Sequence, residues 1–336
     1  MIKQITSSLI ILAALFCLSC SANIQFDETR PGAFLERPDI INLPIIKSEN
    51  GLILVPTSID EGDPVLMIID TGATRSAIYQ SFYQRLGLEK THETVQIHGM
   101  VESGIRPEIQ LPYLDLDNKR IENLTFAVLE KFAQKSKSSD KIGGLIGLDI
   151  LDSFYLFFDH ERQILSLIPI KYPPPILPSS WSRVVLSSNP YIDDGRTLKY
   201  FNVRVTGQLV PALFDTGSEF NLINWPAIKH PHILTTRRKL EDQWRLAGAV
   251  GKFDPRTKVK LVGFRSDQKF WSGRDFLVLD FESLHKLGVK DRPFIIAGTN
   301  MFTKSTFWLD LRGGEIVFKP GSDDRPISDE VVLTSF

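Results

Sequence analysis

The chain has 336 residues, 43% of them apolar and 24% charged, with a formal net charge of -1. That length suits two globular domains, and the near-neutral balance gives no electrostatic basis for binding nucleic acid or an anionic membrane. Only two cysteines occur, Cys17 and Cys20, so zinc-finger, thiol-protease and redox chemistries all lack their parts.

Residues 1–20, MIKQITSSLIILAALFCLSC, come first. One early Lys3 and an apolar run from Leu9 to Leu18 fit the core of an export signal and are short for a membrane span. The closing CLSC resembles a relaxed bacterial lipobox, with Cys17 where Leu is usual, and implies lipid addition at Cys20. Cleavage after Ala22, leaving a soluble product, is the alternative. Both imply export, to the periplasm or as an outer-membrane or cell-surface lipoprotein touching the membrane only through that lipid. With both cysteines in this segment, the mature protein is expected to hold no disulfide. Residues 21–47 mix charge with scattered proline and read as a lead-in or tether with one strand at its end.

The first unit, 48–170, opens with GLILVPTSIDEGDPVLMIID, a strand, a turn and a second strand ending at Asp70-Thr71-Gly72. Residues 95–109, VQIHGMVESGIRPEI, read as a hairpin with its tip at Gly99, Met100 and Val101. LIGLDIL (145–151) then brings an apolar run to Gly147, followed by a short helix and a strand ending in Asp159. Residues 171–182, with Pro173, Pro174 and Pro175 in a row, read as a stiff extended linker.

The second unit, 183–322, repeats the first. LKYFNVRVTGQLVPALFD leads to Asp215-Thr216-Gly217, WRLAGAVGKFD (244–254) places a hairpin tip at Gly248, Ala249 and Val250, and IIAGTNMF (295–302) carries Gly298 before a strand ending in Asp310. Residues 323–336 form a tail. From 70 to 215 is 145, whereas 147 to 298 and 159 to 310 are both 151, so the second unit carries six extra residues. They are placed after its hairpin, near SDQKFWSGRDF. Duplication of a domain of this size gives two β-rich lobes of one fold.

A single Asp-Thr-Gly arises by chance in roughly one chain of this size in twenty, and it makes a good turn. Two copies, each closing an apolar strand and each followed by an apolar-apolar-Gly element, resemble the aspartic peptidases, the retropepsin and pepsin superfamily. The resemblance implies an all-β, bilobal, pepsin-like architecture of two retropepsin-like barrel lobes with short helices. It implies Asp70 and Asp215 as the catalytic pair, supported by Thr71, Gly72, Thr216, Gly217 and Ser218. It also implies flaps at the two hairpin tips, a peptide or protein substrate, and a monomer, since one chain supplies both acids. The chemistry is coherent: two close carboxyls cannot both ionise, so they share a proton and act as base and acid together. Gly72 and Gly217 would allow close approach where a Cβ would clash. Ser218, facing Ala73 in the first repeat, offers a hydroxyl that would favour an ionised Asp215.

The function expected is an exported aspartic endopeptidase. The alternative is a non-catalytic protein of the same fold that binds peptide or cell-envelope components. No cofactor or metal is expected: His230 and His232 lack further ligands nearby, and no zinc- or serine-hydrolase signature occurs. Asn123 heads a glycosylation sequon of a kind that recurs by chance, and Asp159 and Asp310 read as turn residues.

Overall fold

The computed structural model describes residues 37–48, 51–59, 63–88, 93–98, 103–117, 119–130, 141–188, 198–205, 208–228, 235–239, 246–247, 252–253, 257–279, 289, 291–302 and 304–321. After strand β1 (Ile41–Pro44), the first lobe comprises β2 (Ile46–Lys47), β3 (Ile53–Ile59), β4 (Val65–Ile69), β5 (Ala77–Tyr79), β6 (Thr94–His98), β7 (Ser103–Leu116), β8 (Lys119–Leu129) and β9 (Ile142–Ile146). Two short helices, α1 (Gln80–Leu86) and α2 (Leu148–Leu151), accompany them. The strands pair in the order β2-β3-β4-β9-β5-β8-β7-β6, and β3 also meets β7, which closes a barrel.

The sequence explains the burial. Ile53, Val55, Val65, Met67 and Ile69 alternate into one core, while Leu54 and Ile68 face a second apolar cluster on the opposite side. β4 runs parallel to β9 and β5 parallel to β8. Such parallel strands, covered on both faces, read as unbroken apolar runs. Helix α1 stops at Gly87, whose φ of 64° gives the left-handed cap that glycine accepts freely.

Strands β10 (Phe154–Asp159), β11 (Ile164–Pro169) and β12 (Ser182–Val185) lead to the second lobe. That lobe holds β13 (Tyr200–Val205), β14 (Gln208–Phe214), β15 (Asn221–Asn224), β16 (Thr235–Lys239), β17 (Leu246–Ala247), β18 (Lys252–Phe253), β19 (Thr257–Ser266), β20 (Lys269–Leu279) and β21 (Ile295–Ala297). The one-turn helices α3 (Trp225–Ile228) and Thr299–Phe302 correspond to those of the first lobe, and β22 (Phe307–Asp310) and β23 (Glu315–Phe318) follow. The order β13-β14-β21-β15-β20-β19-β16, with β13 meeting β19, makes the same closed barrel. The chain is thus all-β and two-lobed.

Strand register relocates the extra residues of the second unit. The β7–β8 turn pairs Leu116 with Lys119 around Asp117 (φ 56°), and the β19–β20 turn pairs Ser266 with Lys269 around Asp267 (φ 46°). From 116 to 266 is already 150. Five of the six extra residues therefore lie between β15 and β19, upstream of SDQKFWSGRDF. That glycine- and aromatic-rich stretch looks irregular in sequence but is a tight hairpin matching the first lobe's.

A six-stranded sheet, β1-β11-β10-β22-β23-β12, joins the lobes. Its symmetry is that of the duplication: β1 pairs with β11 as β12 pairs with β23, and Phe157 faces Trp308 on the central β10–β22 pair. Residues 41–44 of the lead-in are thus a strand of this sheet, and Ile41 and Leu43 are buried. The proline-rich segment supplies Leu177 and Trp181 to a cluster with Tyr155, Phe157 and Trp308 under the sheet. Phe158 stacks on Phe307 at 4.5 Å across the central pair, each large side chain so buried contributing roughly 1.5–3 kcal/mol. Asp159 and Asp310 each accept a backbone N–H three residues on, from Arg162 and Gly313, so both hold the turns between these strands.

Candidate active site

Each Asp-Thr-Gly follows a central strand, β4 or β14. The backbone N–H groups of Asp70 and Asp215 donate to Ile146 (3.0 Å) and Ala297 (3.1 Å), so the neighbouring parallel strand fixes where each loop begins. Each loop is then held from behind. Leu148 donates to the carbonyl of Ala73 and Thr299 to that of Ser218, both at 2.8 Å, which seats the apolar-apolar-Gly elements against the loops.

The structure brings Asp70 and Asp215 together, with a hydrogen bond between their carboxyl groups. Asp215 is 7% exposed, and Asp70 is half-buried. The approach is reciprocal. A Cβ on Gly72 would lie 2.4 Å from the Asp215 carboxyl carbon, and one on Gly217 would lie 2.2 Å from that of Asp70. No real Cβ tolerates such contact, so each glycine leaves the space that the opposite acid occupies.

Backbone donors orient both acids. Gly72 N–H donates to Asp70 Oδ1 at 2.9 Å, and Ala73 N–H also bonds that carboxylate. Gly217 and Ser218 N–H groups donate to Asp215 Oδ1 at 2.9 and 3.0 Å. The Ser218 hydroxyl instead donates to the Phe220 carbonyl at 2.9 Å. The sequence expectation of a hydroxyl bond to Asp215 is corrected: the loop turns so that the main chain of Ser218 meets the acid and its side chain braces the loop.

Thr71 and Thr216 lock the lobes. Thr71 Oγ1 donates to Phe214 O at 2.9 Å, Thr216 Oγ1 donates to Ile69 O at 2.7 Å, and each oxygen accepts the other threonine's N–H. Both threonines are buried.

Burial first, and then the charge of Asp215, hold the Asp70 carboxyl well above the usual carboxylate range. Burial raises Asp215 to about 6, against the pull of its backbone donors. Below that pH the pair carries two protons, and above it one proton shared between two acids. Burial, followed by the Asp70 charge, also raises the Tyr79 phenol.

The flap candidates fall differently. The first hairpin's arms are β6 and β7, with His98 opposite Ser103, and the second's are β17 and β18, with Ala247 opposite Lys252. The tip residues Gly99, Met100, Val101, Gly248, Ala249 and Val250 lie outside the described residues, as do Cys20, His230 and His232. Among the described residues no group of three or more His, Cys, Asp or Glu is arranged to hold a metal.

Three supporting residues escaped sequence reading. Ser76 Oγ donates to Asp149 Oδ1 at 2.6 Å and accepts the Gly147 N–H at 3.0 Å. Asn221 Oδ1 accepts the Gly298 N–H at 3.1 Å. Ser76 and Asn221 each stand six residues after an aspartate, as a lone polar residue entering an apolar strand. That shared offset was the available signal.

A family model described as aspartyl protease matches residues 55–150, spanning Asp70 and the Gly147 element. A search of curated proteins found no match. Among solved structures, the chain is similar to conglutin gamma, a basic 7S globulin from lupine seeds, at 12% identity and a TM-score of 0.47, covering 85% of this chain and 96% of that one.

Proposed function

We infer that this chain, a two-lobe relative of the aspartyl proteases, is an aspartic endopeptidase. The observation that carries the inference is the juxtaposition of Asp70 and Asp215 across Gly217 and Gly72. Burying two acids against each other is costly to the fold, and a protein that only bound peptide would have no chemical need for it.

The chemistry requires no covalent intermediate. With one proton on the pair, the ionised carboxylate takes a proton from a water molecule as it adds to the peptide carbonyl. The protonated carboxyl gives its proton to the carbonyl oxygen, leaving a tetrahedral diol. The carboxyl that took water's proton then gives it to the nitrogen as the C–N bond breaks, while the other carboxylate takes a proton from a diol hydroxyl, so amine and acid are released and the singly protonated pair is restored. The threonine lock and the four backbone donors hold both carboxyls in place, so little reorganisation accompanies the reaction. An extended peptide would lie as an added strand in the cleft, covered by the hairpins.

Export, with lipid at Cys20 or as a soluble product, is part of the proposal and is supported by residues 1–20 alone. A monomer suffices because both acids come from one chain.

The test is digestion of a denatured protein substrate across pH 3–8, with and without a statine-type inhibitor, whose hydroxyl mimics the tetrahedral state. Cleavage abolished by one inhibitor per chain supports the assignment. Inhibitor-insensitive cleavage, or none at any pH, leaves the non-catalytic, peptide-binding alternative.

A further inference from the structure

The Asp70 loop and the first hairpin carry charged side chains that the hydrolytic step does not use. Ala73, Ala77, Leu145 and Ile97 belong to one apolar cluster. β7 carries Arg106 and Glu108 on one face, since alternate strand residues point the same way. Arg106 stands opposite Val95, and Val95 packs on that apolar cluster, so this is the flap's inward face.

Two arginines there, Arg106 and Arg75, make only long ion pairs. Arg106 Nη1 donates to the adjacent Ile105 carbonyl at 3.1 Å, and its Nη2 stands 3.9 Å from Glu130, a side chain 82% exposed. Its Nε is buried and has no hydrogen-bond partner among the described residues. Arg75, five residues after Asp70, has its Nη2 3.8 Å from Glu108 Oε1. Both separations exceed the roughly 2.7–2.9 Å of a formed charge-assisted bond. In the second lobe Arg256 stands where Arg106 does, at the offset of 150, but the other two positions differ. Phe220 stands where Arg75 does, at the offset of 145, and Lys258 stands where Glu108 does, bound to Asp275 at 2.6 Å.

We propose that Arg75 and Arg106 are specificity residues that take the carboxylate of an Asp or Glu side chain in the bound peptide, on the side of the scissile bond held by the first lobe. The role presupposes the endopeptidase activity proposed above. An arginine fork matches a carboxylate in two parallel bonds, and both guanidiniums hold only long ion pairs, Arg75 with Glu108, which shares a face of β7 with Arg106. The second lobe has Phe220 in place of Arg75, so the pair of arginines is not repeated there.

The test uses a peptide scan in which one Glu is placed at each position around a fixed cleavage site, against a matched Gln series. At one position on one side of the cut, the wild type should favour Glu about tenfold or more in kcat/KM, carried by KM. That preference should fade as pH falls through the ordinary Glu range, about 4.3. In Arg106→Gln and Arg75→Gln the Glu-to-Gln ratio should fall toward one, and Arg106→Glu should favour Lys at the same position. Equal rates for Glu and Gln at every position, or an undiminished preference in both variants, would overturn the proposal. Binding of the same peptides to Asp215→Asn separates the two claims. Glu-selective binding without wild-type cleavage keeps the subsite and removes the peptidase. Cleavage without selectivity does the reverse.

Discussion

Thr71 and Thr216 exchange hydrogen bonds across the lobe boundary, each hydroxyl accepting the other's N–H, at 3.1 and 3.0 Å. The lock is one residue from each acid, Asp70 and Asp215. It therefore ties stability of the interface to alignment of the site.

Thr71→Val keeps the shape and deletes the hydroxyl. The buried Thr216 N–H loses its acceptor and the Phe214 carbonyl its donor, at about 1–3 kcal/mol for each orphaned group. The urea midpoint should fall with an unchanged slope, and kcat should fall with it. Thr71→Ser should restore most of both.

Gly217→Ala introduces a methyl group 2.2 Å from the Asp70 carboxyl carbon. Overpacking of this kind costs about 1–3 kcal/mol or more, and displacing a reacting group by about 1 Å costs on the order of a hundredfold in rate. The expected outcome is a folded protein of reduced melting temperature with kcat down about a hundredfold or more. Near-normal kcat would show that the opposite acid does not need this space.

The raised acids make stability depend on pH in a definite sense. Both take up protons more readily folded than unfolded, where the carboxyl value is about 3.8. Their contribution is fully present below that value and is lost as pH rises toward about 6 for Asp215 and through the raised value of Asp70. The slope in that window is at most about 1.4 kcal/mol per pH unit for each proton. Asp215→Asn should therefore flatten the decline between pH 4 and pH 6 and be more stable than the wild type at neutral pH, as read by denaturant unfolding. In wild-type kinetics, the acid limb of kcat/KM should lie near the same value, about 6.

Ser76→Ala removes the group between Gly147 and Asp149. It orphans a buried N–H and loosens a carboxylate behind the Asp70 loop, for a loss of about 1–3 kcal/mol in unfolding free energy. Since Ser76 touches neither acid, kcat should fall less than in Gly217→Ala.

Much of this was legible in the sequence because duplication prints each feature twice. The acids, the glycines facing them and the apolar-apolar-Gly elements all recur at fixed offsets. What escaped notice depends on contacts distant in sequence. Ser76 meets Asp149 only because β5 lies beside β9, and a serine entering a strand has no local signature of that bond. The Ser218 hydroxyl was misdirected in the same way, since a side chain's rotamer follows from the loop's path rather than from its neighbours in sequence. The strand expected at the end of the lead-in is β1, but its pairing of Ile41 with Leu167 had no local signature in the sequence. The extra residues of the second unit were misplaced because composition marks irregular-looking stretches, whereas register marks where strands resume.

The most direct test of the shared-proton site is kcat/KM for one peptide with wild type, Asp70→Asn and Asp215→Asn, each checked for intact fold by thermal unfolding. Loss of about a thousandfold or more in both variants, within the range general acid–base catalysis supplies, is the expected result. A folded variant of either kind that cleaves at the wild-type rate would contradict the dyad.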